Sequence, residues 1–312
     1  FGSSSHVGLG ALAPALAASS ARAMFDFEEL AEEPNDPATV PLKDGEVFEN
    51  IGAVSAIVHR ACEGRVPLAV VLVPGNPGVD ALVSSGRYHA NAPGMLAIKQ
   101  ALRKANLSYV SFDYEGIGLS AAGGPTTDMA QWRAPSEERT VSSVYEAVSW
   151  TRSQLSDCVI ACCWNFGAYY AGEMCCDSEG MLQGLVSVSM GYNVYLSYLV
   201  RKDPASVAAG NNLKEHYDRW NKSLRLKTLY IAGNMDKSMT PVGIVKKLIS
   251  SRPDGGANAK LHVIDQKDMK MTNDEYFQLL GSTTEVGNVV ADWIVEQYQE
   301  VLEPADAKLM GA

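Results

Sequence analysis

Short apolar runs alternate with longer amphipathic ones through most of the chain. Pro67–Val73 (PLAVVLV) has no polar position, the pattern of a strand buried on both faces. It stops at Pro74-Gly75-Asn76-Pro77-Gly78, a turn sequence. Residues 92–104 have helical spacing. Leu107–Tyr114 is a second strand, ending at Gly116-Ile117-Gly118. Pro135-Ser136-Glu137-Glu138 is a helix start, and that helix runs to about Gln154. Cys158–Cys163, Leu185–Met190, Thr228–Ala232 and Leu261–Ile264 continue the series of strands. Phe166–Cys175 and Pro241–Ser250 are the helices between them. Glu285–Leu302 closes the chain as one long helix, with Val286, Val289, Val290, Trp293, Ile294 and Tyr298 on one stripe. Strands alternating with helices predict βαβ units: an α/β fold with a mostly parallel sheet flanked by helices.

The 312 residues allow two domains by size alone. The rhythm instead predicts one domain over residues 50–302. Residues 193–226 break it with a segment rich in Tyr, Asn and Lys, read as a small inserted cap. Hydrophobic residues make up 46% and charged residues 20%, enough apolar material for a large core without disulfides or metal. The net charge is −10, with 26 Lys and Arg against 36 Asp and Glu. Nucleic acid is therefore not an expected partner.

The ends have their own composition. Residues 1–25 hold no Asp or Glu, and Val7–Ala18 is an apolar stretch of twelve residues. A membrane-spanning helix needs about 20. The stretch fits the apolar part of a targeting signal, and Ala21-Arg22-Ala23 has the small-x-small form of a cleavage site. Phe1 followed by a Ser/Ala-rich, acid-poor segment resembles the transit peptides of complex, red-lineage plastids. The alternative is a tail that docks on a partner protein or a membrane surface. Residues 26–49 carry nine acids and one Lys, read as a solvated acidic connector. Residues 303–312 are read as a C-terminal tail.

Four segments, in chain order, carry a family resemblance. Val71-Leu72-Val73-Pro74-Gly75-Asn76-Pro77-Gly78 joins an apolar strand to a glycine loop. Phe112-Asp113-Tyr114-Glu115-Gly116-Ile117-Gly118-Leu119-Ser120 is a glycine-punctuated turn. Cys163-Trp164-Asn165-Phe166-Gly167-Ala168-Tyr169-Tyr170-Ala171 joins a strand to a helix. Ala232-Gly233-Asn234-Met235-Asp236 ends a strand on an acid. Over about residues 50–302 the chain resembles the α/β-hydrolase fold superfamily. The resemblance implies an oxyanion-hole donor from the first segment and a nucleophile elbow in the third. It also implies a catalytic acid at Asp236, with Glu115 standing where the family's second motif has Arg.

The chemistry departs from the family at two of three positions. The elbow apex falls on Asn165, which has neither hydroxyl nor thiol for a histidine to activate. The slot for the catalytic histidine falls at about Met269. His262 lies earlier, within a strand, and His6, His59, His89 and His216 match no triad position. The expectation is a degenerate, non-catalytic member acting as a structural or assembly subunit. Given the tail, a plastid photosynthetic membrane complex is the specific reading.

Two alternatives stay open. Cys163-Trp164 resembles the Cys-Trp of dienelactone hydrolases, which use a cysteine nucleophile. That requires the elbow to shift by two residues and a partner such as His89 or His262 to stabilise the thiolate. The other is a receptor that keeps a ligand pocket at Gly75, Asn76, Phe166 and Tyr192. The six cysteines lack metal or thioredoxin spacing, so they are read as core packing, with no metal and no cofactor expected.

Overall fold

The computed structural model describes residues 40, 42–75, 88–133, 135–178, 180–190, 221, 224–237, 240–267, 269 and 279–302. Tail 1–25 and the stretch 303–312 lie outside these residues, as does nearly all of the expected cap at 193–226. Among the described residues, eight strands form one sheet: β1 (Glu46–Ile51), β2 (Val54–His59), β3 (Ala69–Val73), β4 (Ser108–Asp113), β5 (Val159–Trp164), β6 (Gly184–Val188), β7 (Lys227–Gly233) and β8 (Ala259–Ile264). The strand order is β1-β2-β4-β3-β5-β6-β7-β8. The β1–β2 and β2–β4 pairs are antiparallel, and every pair from β4 through β8 is parallel.

β3, β4, β5 and β6 are buried at every position, as continuous apolar runs require when helices cover both faces of a sheet. Helices α1 (Pro93–Lys104), α2 (Glu137–Gln154), α3 (Gly167–Asp177), α4 (Val242–Ser250), α5 (Thr283–Gln297) and α6 (Gln299–Leu302) follow in chain order. Alternate side chains of β5 feed two separate cores. Ala161 and Cys163 pack with Val144, Val148 and Ala168 of α2 and α3. Ile160, Cys162 and Trp164 pack with Ile98, Leu102, Val290 and Ile294 of α1 and α5. The helix expected from Pro135-Ser136-Glu137-Glu138 starts at Glu137, with Ser136 Oγ accepting the Arg139 N–H.

Two expectations need correction. The acidic stretch does not stay solvated to residue 49. β1 begins at Glu46, which is buried beside the equally buried Lys99, with Nζ and Oε1 3.0 Å apart. Tyr109 donates its hydroxyl to the same carboxylate, and Lys99 also donates to Asn91 Oδ1 at 2.8 Å. Opposite charge and these donors offset the desolvation that would otherwise keep a glutamate at the surface. The closing helix is not continuous either. It leaves helical geometry at Tyr298, whose hydroxyl donates to the Gln183 carbonyl at the start of β6, 2.7 Å away. The predicted stripe is otherwise met: Val286, Val290, Trp293, Ile294 and Tyr298 are buried, and Val289 is partly so.

The chain runs from β3 outward to β4, then returns to the other side of β3 as β5. Strand order therefore reverses between β3 and β5. In open α/β sheets, ligands bind in the crevice that this reversal opens beyond the carboxyl ends of the strands.

Candidate functional site

The carboxyl ends of β3 and β5 hold the first two site segments. β5 ends at Trp164, and Asn165 turns the chain straight into α3 with φ +48°. Asparagine is among the few non-glycine residues that tolerate this left-handed region. The Asn165 N–H donates to the Val188 carbonyl at 2.9 Å, and the Ala168 N–H donates to the Asn165 carbonyl. The sharpness of the turn explains Gly167. A Cβ there would stand 2.6 Å from the carbonyl oxygens of both Val73 and Pro74, so only glycine lets α3 start against the end of β3. Tyr114 holds that carbonyl in place by donating its hydroxyl to Pro74 O at 2.7 Å.

The apex itself is polar and underused. Asn165 is buried, and its Oδ1 has no hydrogen-bond partner. Beside it, one step past the Trp164–Val188 pair, Ser189 also adopts a left-handed backbone, with φ +45°. Its hydroxyl is buried without a partner, as is that of Ser187 on β6. Backbone outliers and unsatisfied polar groups collect at functional sites, because elsewhere they only cost stability. Nothing in the sequence pattern marked Ser187 or Ser189. They follow an apolar run and read as its continuation.

The other positions come to the same edge of the sheet through β7 and β8. Asp236 follows β7 and is buried. Its Oδ2 accepts the Thr240 N–H at 2.7 Å, just ahead of α4. Met269 follows β8, and its sulfur accepts the Ser282 hydroxyl at 3.6 Å. His262 lies within β8, as expected, with Nε2 3.6 Å from Glu285 on α5.

Cys163 is two residues short of the turn, inside β5, paired with Val73 and Ser187 and with no exposed surface. Burial, with Cys162 and Cys175 nearby, pushes its thiol well above the ordinary range. The turn has not shifted onto it. The thiols of Cys62, Cys158, Cys162 and Cys163 are free.

Of the expected pocket residues, Phe166 is buried in the α2–α3 core, while Asn76 and Tyr192 lie outside the described residues. Gly75 lines a chamber of about 10 Å³ with Pro74, Gly94, Met95, Trp164 and His89. That is room for about one water molecule. His89 sits in a short turn before α1, and both its ring nitrogens are buried without partners. Burial lowers its pKa to about 4, so the ring is neutral.

The Asp-Tyr-Glu-Gly turn is a structural device. Asp113 is fully buried and accepts the N–H groups of Ala90 and Leu119 at 2.6 and 2.9 Å. Gly118, at φ +51°, leaves the room that this carboxylate occupies. Burial raises the Asp113 pKa to about 7 despite those donors.

No protein-family model matches the sequence, and no curated protein matches it. Solved structures do. An alpha-beta serine hydrolase homologue from Coxiella burnetii aligns over 81% of this chain and 99% of its own, with 14% identity and a TM-score of 0.53. The chain has the α/β-hydrolase fold. Est1E from Butyrivibrio proteoclasticus, with ferulic acid bound, aligns over 81% of this chain and 99% of its own, with 11% identity and a TM-score of 0.55. A dienelactone hydrolase from Anabaena variabilis aligns over 80% and 96%, with 14% identity and a TM-score of 0.51. In this α/β-hydrolase-fold chain the elbow offers a carboxamide that can donate and accept hydrogen bonds. It has no hydroxyl or thiol for a base to deprotonate.

Proposed function

We propose that this chain keeps the α/β-hydrolase fold without hydrolase chemistry and serves as a structural or assembly subunit of a larger complex. One observation carries the reading: Asn165 occupies the left-handed apex of the elbow, where the reaction needs a nucleophile. Met269 in the histidine slot and the Asp236 bond to the Thr240 amide support it. A fold without a reaction to perform is kept for its surface. The Ser/Ala-rich, acid-poor residues 1–25 are the segment we assign to docking, on protein subunits or a membrane surface. Their likeness to plastid transit sequences makes a photosynthetic membrane complex the assembly we propose. Among the described residues, no helix is long and apolar enough to cross a membrane.

The likeness to Est1E and to a dienelactone hydrolase favours a second reading, a carboxylic-ester hydrolase that uses Cys163. One assay separates the two. The purified full chain is offered short-chain p-nitrophenyl esters, alone and as the Cys163→Ala and Asp236→Asn variants. The first reading expects all three to match the buffer blank. Saturable turnover that either substitution abolishes would establish the second. For the assembly, tagged full chain and a chain lacking residues 1–25 are compared in plastid fractions. The full chain is expected to migrate with a large membrane complex and the shortened one to run free. Identical migration as a monomer contradicts the assembly role.

A further inference from the structure

A second cleft lies away from the elbow, beyond β4 toward the β1–β2 hairpin. It is an open cleft of about 570 Å³, large enough for a small molecule. Asn50, Ser55, Glu115, Arg133, Arg139 and Gly124 are among its walls. Part of its hydrogen-bonding capacity is guanidinium donors without a partner among the described residues. Arg139 spends one guanidinium nitrogen on Glu115, with Nη1 at 2.8 and 2.9 Å from the two carboxylate oxygens. The remaining N–H groups of that fork make no hydrogen bond with another described residue. Glu115 thus sets the direction of Arg139 without using it up.

The Arg133 guanidinium makes no hydrogen bond or ion pair with any other described residue. Its backbone is pinned: the N–H donates to the Gly116 carbonyl at 2.8 Å, and its own carbonyl lies where a Cβ on Gly116 would be. Asn50 accepts the Ser55 hydroxyl on Oδ1 at 2.9 Å, which leaves its NH2 group unspent. Two arginines and one glutamate line the cleft, and Glu146 accepts the N–H of Ala53 at its wall, so Arg133 is the lining cation without a carboxylate partner among the described residues. A fork of unspent guanidinium donors matches oxygen acceptors that carry negative charge.

We infer that this cleft binds a small organic oxyanion, a carboxylate or a phosphate ester of metabolite size, with its charged end on Arg133 and Arg139. The site is independent of the elbow and stands whether or not the chain hydrolyses esters. Both arginines are exposed, so binding is modest in strength and weakens with salt.

Isothermal titration calorimetry on the full chain tests it, with pyrophosphate and citrate as probes and glycerol as the uncharged control. Pyrophosphate or citrate is expected to bind in low salt and glycerol not to. Preference for one anion tells phosphate from carboxylate. Arg133→Ala is expected to weaken binding at least about tenfold. Arg65→Ala, at an exposed arginine paired with Asp157, is expected to leave it unchanged. The Arg133 side chain holds no other part of the fold, so this variant folds even if Arg139→Ala does not. Absence of binding by both anions overturns the inference. So does binding that Arg133→Ala leaves intact, or that Arg65→Ala weakens equally.

Discussion

Asn165 concentrates the question in one side chain. Its amide suits the left-handed turn, but its buried Oδ1 gains no partner there. Glycine relieves both costs. Asn165→Gly is therefore expected to stabilise the fold by about 0.5–1 kcal/mol, read from the urea midpoint. A loss of stability would show that the carboxamide has a structural bond of its own. His89 makes a pH prediction. Its folded pKa lies near 4, below the unfolded value of about 6.5. The stability it contributes is full above pH 6.5 and is lost as the pH falls toward 4, on the order of 3 kcal/mol. Asp113 has the opposite sign. Its pKa is raised to about 7, so its contribution is full below about pH 4 and is lost as the pH rises through 7. His89→Phe removes the first slope and loses no hydrogen bond, so stability should then fall steadily from pH 4 to 7. A profile identical to that of the unaltered chain would refute the assignment. The sequence does place Asn165 at the strand-to-helix turn, because that motif is local. It hides Ser189 and His89, whose roles depend on what neighbouring strands and loops leave unpaired.

Elements were legible where one physical cause dominated. The continuous apolar runs of β3 and β5 and the capped start of α2 need no tertiary information, and they stand within two residues of where the pattern puts them. β1 was not legible, since Glu46 and Glu49 give it the composition of a connector. Only the tertiary pair with Lys99 makes its burial affordable. Lys99→Met should accordingly cost about 3–5 kcal/mol, because it strands the Glu46 carboxylate. The double variant Lys99→Met, Glu46→Leu should recover most of that loss, and chemical denaturation of the cycle measures it. Equal losses in the single and double variants would show that the pair contributes by packing alone. At the elbow, Gly167→Ala is expected to destabilise by about 2 kcal/mol or more, since both neighbouring oxygens belong to backbone. Thermal unfolding checks this, and an unchanged midpoint would mean that β3 and α3 can part.

At the scale of the molecule, strand order reverses between β3 and β5, and Asn165 follows the carboxyl end of β5 at that reversal. The fold is that of enzymes, and the order of the four motifs anticipated it. Fold alone does not supply a reaction, which depends on particular atoms at the site. Here the covalent step would need an attacking atom; Asn165 supplies none, and the Cys163 sulfur, two residues before the turn, is buried in the core. The most direct measurement is intact-protein mass spectrometry after exposure of the native full chain to an activated acyl ester. No acyl adduct is expected on any elbow residue. An adduct that maps to the segment Cys163–Gly167 would contradict it.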